Sequence, residues 1–114
     1  EKAGVLACRN VLHKIKAENT SFKGNLFMIL GNINALNKGI RFEDVDLNRM
    51  WSQEKINAIE NTKLDLINEN KEQNELYLII KEILKSENGP FYFLDLHTTS
   101  SSSVPFITIS DSLN

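Results

Sequence analysis

Apolar residues Ala3, Leu6, Ala7, Val11, Leu12 and Ile15 recur three and four positions apart near the start of the chain. That period puts them on one face and predicts an amphipathic helix over residues 3 to 16. Lys14 and Lys16 fall near its C-terminal end, where cations complement the helix dipole. The pattern then changes. Residues 17 to 24 are polar and end in Gly24, a loop, and "NLFMILG", residues 25 to 31, is a continuous apolar run closed by a glycine. Such a run is the pattern of a strand buried on both faces.

Residues 32 to 50 carry Asn, Gly, Arg and Asp with little periodicity. A loop this long inside a compact domain is usually functional or disordered. Ser52 is suited to cap a helix running through Ile56 and Ile59. Residues 61 to 70 fit neither period. "KEQNELYLIIKEILKS" then lines up Leu76, Ile79, Ile80, Ile83 and Leu84 as a helical stripe over residues 71 to 86, and Gly89 and Pro90 stop it. Residues 91 to 96 read as a second buried strand, 98 to 103 as a hydroxyl-rich loop, and "PFITIS" as a third, shorter strand.

Helix, strand, long loop, helices, strand, strand is an α/β order. It predicts a mostly parallel or mixed sheet flanked by helices. Ligands of such sheets bind in the crevice at the carboxyl ends of the strands. The loops after Gly31 and after Leu96 both start at such ends.

Composition narrows the partners. A length of 114 residues suits one domain with one modest core. With 41% hydrophobic and 25% charged residues the chain is expected to fold. Its net charge of -2, with no basic stripe, excludes a nucleic-acid surface. The apolar runs fall short of the roughly 20 residues that a membrane span needs. Cys8 is the single cysteine, so no internal disulfide forms, and its neighbours Leu6, Ala7 and Val11 predict a buried thiol. The chain opens on helical text with no start methionine and no signal-peptide pattern. It therefore reads as cut at its front, and as cytoplasmic.

Two places carry candidate chemistry. "FLDLHTTSSSS", residues 93 to 103, sets Asp95 and His97 where an apolar run ends. Alternating side chains send both to one face of a strand. A neutral imidazole can ligate zinc beside a carboxylate. From His97 alone, a histidine hydrogen-bonded in or beside the core accounts for the residue better than a metal ligand does. His13 reads as a helix-end histidine. Residues 101 to 103 read as a mobile, solvated loop tip.

The second place is "GIRFEDVDLNRMW", which gathers Arg41, Asp46, Asn48 and Arg49. A guanidinium is a rigid fork of donors that matches a carboxylate. Arg49 with Asn48 can hold a substrate carboxylate, Arg41 can polarise a carbonyl as its oxygen gains charge, and Asp46 can orient a metal-bound imidazole. A surface loop stitched by Asp–Arg pairs, each worth at most about 1 kcal/mol, accounts for the spacing equally well.

"DLNR" at 46 to 49, with Trp51 after it, "DLHTT" at 95 to 99 and "LGNINALNKGIRF" at 30 to 42 resemble the succinylglutamate desuccinylase/aspartoacylase family. The opening "EKAGV" is similar to the end of the family's glycine-x-histidine-glycine-asparagine-glutamate motif, with Glu1 as the glutamate. Four blocks occur in family order between Glu1 and about Ser100.

The resemblance implies a zinc-carboxypeptidase-like fold, of which residues 1 to 114 are a single, N-terminal part of the catalytic domain. It implies a zinc-dependent hydrolase that cleaves the amide bond of a small N-acyl amino acid. Carried across, Glu1 and His97 are zinc ligands, and a histidine three positions before Glu1 is the third. Asn48 and Arg49 bind the substrate carboxylate, Arg41 polarises the scissile carbonyl, and Asp46 buttresses the missing histidine. The family's general-base glutamate lies downstream of the "DLH" block, and no candidate for it occurs before Asn114. Two other readings stay open: a carboxypeptidase-like hydrolase of peptides, and a non-catalytic domain that keeps the fold and binds a metal or ligand.

Overall fold

Among the residues described by the computed structural model, 2–61, 68–97, 102 and 104–109, regular structure is entirely helical. Helix α1 spans Lys2–Ala17, α2 Ile33–Lys38, α3 Gln53–Asn61 and α4 Asn68–Ser86, with one 3-10 turn at Leu47–Arg49. No strand forms among the described residues, so the expected α/β sheet is not the architecture found.

The physical reason lies in what an apolar run reports. It says that a segment avoids water, not that another backbone pairs with it. A strand needs a second strand running about 4.8 Å away, whose N–H and C=O groups bond to its own. Residues 25–31, 91–97 and 104–109 run without helix and without a ladder partner. Their side chains are not enclosed either: Phe93 is 80% exposed and Ile107 78%. The crevice expected at strand ends must therefore be built another way.

The helices follow their patterns more closely. α1 matches the predicted stripe, yet none of its residues is buried. α3 starts where Ser52 allows it: the Ser52 Oγ accepts from the Lys55 N–H at 3.4 Å, and its carbonyl accepts from the Ile56 N–H at 3.0 Å. α4 begins three residues before the predicted start, at Asn68.

Residues 32 to 50 are not a plain loop. α2 ends on Gly39 in the left-handed region at φ 71, with the Gly39 N–H bonded to Leu36 O and the Ile40 N–H to Ala35 O. That double closure is a Schellman motif, and its positive φ suits glycine.

Packing centres on α4. Gly31 sits so near this helix that a Cβ there would lie 3.0 Å from Leu76 Cδ1 and 3.6 Å from Leu47 Cδ2. Ala35 and Met50, both in the 32–50 segment, are the buried apolar residues among those described. At the far end of the chain, Gly4 of α1 meets the backbone of Leu96. A Cβ on Gly4 would come within 2.9 Å of the Leu96 carbonyl oxygen. This contact ties the first helix to the segment that carries Asp95 and His97.

Candidate functional site

An open cleft of about 910 Å³ lies between α1, the 28–32 segment, the 3-10 turn, the middle of α4 and residues 93–97. Arg41, Asp46, Asn48, Asp95 and His97 are in its wall. So are Cys8 and Arg9 of α1, and Cys8 is half-buried rather than enclosed. The wall does not include Arg49, whose side chain is 84% exposed. Glu1, 98–101 and 103 lie outside the described residues, so the expectations for Glu1 and for most of the hydroxyl run fall there too.

Local folding sets the polar wall. Asp46 caps the 3-10 turn, its Oδ1 accepting from the Asn48 N–H at 3.2 Å. Its Oδ2 accepts from Arg41 through Nε at 3.1 Å and Nη2 at 2.9 Å. Arg49 Nε stands 4.0 Å from the same oxygen. Asp46 is thus engaged by Arg41 and its own turn, in the stitched form that the spacing allowed. Lys55 Nζ donates to the Arg49 carbonyl at 2.9 Å and fixes the backbone after the turn. Arg41 is largely neutralised by Asp46, whereas Arg49 keeps its fork toward solvent.

Three residues that the sequence reading passed over hold this segment in place. Glu69, Glu72 and Gln73 are 2%, 8% and 3% exposed. Glu69 Oε1 accepts from the Glu43 N–H at 2.6 Å and from Asn32 Nδ2 at 3.2 Å. Its Oε2 accepts from the Asp44 N–H at 3.1 Å and, more weakly, from the Val45 N–H at 3.5 Å. Glu72 Oε1 takes the Ile33 N–H at 2.8 Å, and Gln73 Nε2 donates to the Met50 carbonyl. Burial raises the Glu69 carboxyl, and the donors from Glu43, Asp44 and Asn32 outweigh it, bringing the pKa from 4.5 down to about 2. Each such bond to a charged acceptor contributes roughly 1.5–3 kcal/mol.

A signal for these residues was available. Glu69, Gln73, Leu76 and Ile80 follow at spacings of four, three and four, so the polar residues continue the buried stripe toward the helix start. Polar side chains at core-facing positions ask for partners.

The donor set for a metal is incomplete here. No three His, Cys, Asp or Glu side chains stand together as a metal site among the described residues. Among the described residues, His97 is the one expected zinc ligand in the wall, and these residues alone do not make up a zinc centre.

No helix among the described residues is long and apolar enough to cross a membrane. Neither a curated protein nor a solved structure matches the chain. The family model for the succinylglutamate desuccinylase/aspartoacylase catalytic domain, however, matches residues 1–112, across both the Arg41–Arg49 segment and the one ending in His97, and the chain belongs to that family.

Proposed function

We propose that this chain is part of a catalytic domain that hydrolyses the amide bond of an N-acyl amino acid in a zinc-dependent way. One observation carries the reading. Arg41, Asp46 and Asn48 come from one motif and His97 from another, nearly fifty residues on, and all four line one cleft. A chain of this family that had lost its site has no need to hold both motifs against a common space.

Asn48 and Arg49 bind the substrate carboxylate in this reading. Arg49 suits the task because its guanidinium is exposed and only loosely held by Asp46. Arg41 faces the acyl carbonyl, and Asp46 keeps it aimed through the two bonds to Oδ2. A guanidinium fixed in this way does not have to reorganise as the carbonyl oxygen gains charge. His97, with Glu1 from the chain's first position, belongs to the zinc site of the complete protein. Zinc, when bound, supplies a Lewis acid and a water acidified to a pKa of about 7.

The test uses the complete protein. Metal analysis should find one zinc per site, and incubation with a panel of N-acyl amino acids should release free amine, stopped by a chelator and restored by zinc. Release of C-terminal residues from peptides, with no N-acyl amino acid cleaved, would transfer the site to peptide hydrolysis. A zinc-loaded protein that cleaves neither refutes the catalytic reading.

A further inference from the structure

We propose that Glu69, supported by Glu72 and Gln73, is a positioning residue for the substrate clamp: the first two turns of α4 act as the template on which Arg41, Asp46, Asn48 and Arg49 are set. This inference rests on the functional reading above and adds residues that lie outside its motifs.

The argument starts from where the bonds land. The segment from Asn32 to Met50 is held at its start, middle and end by side chains from one helix. Glu72 takes the Ile33 N–H at the head of α2. Glu69 takes the N–H groups of Glu43, Asp44 and, at longer range, Val45. Gln73 reaches the Met50 carbonyl just past the 3-10 turn. Asp46 follows Val45 directly, and Arg41 is tied to Asp46. Moving the 43–45 backbone therefore moves Asp46 and the guanidinium bonded to it.

A structural role alone explains these bonds poorly. Glu69 is 2% exposed and carries its charge without a cation: no ion pair reaches it among the described residues. A buried carboxylate costs more than an apolar residue of the same size unless its donors are fixed. An apolar side chain would fill the space. It could not hold three successive N–H groups in one orientation. The carboxylate does, and it thereby fixes the backbone immediately before "DLNR". Asn32 contributes from the other side. Its backbone is left-handed at φ 50, its side chain leaves the N-cap of α2 without a bond, and it donates to Glu69 instead.

The experiment compares Glu69→Gln and Glu69→Met with Ile83→Ala, a destabilising change further along α4, in the complete protein. Assays run well below each melting temperature with the best N-acyl amino acid. Both Glu69 variants should show KM raised at least tenfold through the shifted carboxylate clamp, with kcat lowered as well because Arg41 moves with Asp46. Glutamine, which keeps one acceptor oxygen, should be the milder of the two. Ile83→Ala should keep the wild-type KM.

Hydrogen exchange gives a readout that needs no activity. Amides of residues 43–45 and 48–50 should exchange at least tenfold faster in Glu69→Gln, with the C-terminal turns of α4 unchanged. A wild-type KM in the folded Glu69 variants, or unchanged exchange over 43–50, overturns the proposal. If the wild-type protein cleaves no N-acyl amino acid, the functional reading fails and the exchange measurement alone decides whether Glu69 sets the segment.

Discussion

Replacing Glu69 by glutamine keeps the shape of the side chain, removes its charge and turns one acceptor into a donor that faces backbone N–H groups. A carboxyl that titrates at about 2 when folded and at 4.5 when unfolded favours the native state by about 3 kcal/mol at neutral pH. Asp44 and Val45, which give two of the N–H groups, are exposed residues, so solvent screens part of that contribution. The expected loss in Glu69→Gln is about 2 kcal/mol.

The pH dependence follows from the sign. The folded pKa lies below the unfolded one. The stabilisation is therefore complete above pH 4.5 and is lost as the pH falls toward 2. Urea unfolding followed by circular dichroism, from neutral pH down to about 3, measures the difference between the two proteins. That difference should be largest at neutral pH and shrink steadily below 4.5, because a protonated Glu69 resembles glutamine. Glu43, paired with Lys38, Asp44, bonded by Asn68, and Glu72 are the carboxyl groups nearest to Glu69. All three are present in both proteins, so the comparison isolates the change at Glu69. A gap that stays constant with pH, or no gap at all, would show that the four donors do not hold the carboxylate charged.

Two further outcomes are expected. Gly4→Ala gains about 1 kcal/mol in helix propensity but sets a Cβ 2.9 Å from the Leu96 carbonyl, and overpacking against backbone costs roughly 1–3 kcal/mol; thermal unfolding should show a net loss, and a stabilised protein would mean that α1 does not press on Leu96. Arg49→Lys should leave stability within about 0.5 kcal/mol, since the side chain is 84% exposed, while KM in the complete enzyme rises about tenfold through loss of the bidentate fork; unchanged kinetics with normal zinc content would remove Arg49 from the carboxylate site.

What was legible in the chain depended on how local the cause was. α1 and most of α4 came from apolar spacing, and α3 from Ser52, because period and cap act within one turn. α2 was missed: six residues, Ile33–Lys38, have too short a pattern, and their ends are settled by Gly39 and by Glu72 from another helix. The strands failed for the converse reason. Runs such as Phe91 to Leu94 state an aversion to water, and pairing depends on partners that no local pattern names. At the site, the chemistry of Arg41, Asp46, Asn48 and His97 marked them before any contact was known, and the structure puts them in one wall. Arg49 is outside that wall. Glu69 stayed hidden because it lies in the 61–70 stretch that fits neither period, ahead of the helix that the apolar stripe predicts.

The meeting of Gly4 with Leu96 bears on the order in which the molecule assembles. It joins positions 92 apart, whereas the bonds from Glu69 to Asn32 and Glu43 join positions 37 and 26 apart. Closing a loop about three times as long costs about 1 kcal/mol more in chain entropy. α1 brings no buried residue to offset it. The α4 template and its loop should therefore form first and α1 dock last, so that one wall of the cleft can swing away while the clamp stays built. Native-state hydrogen exchange would record this as α1 amides opening at a lower free energy than those of residues 43–50, and equal protection of the two would mean that the cleft closes as one cooperative unit.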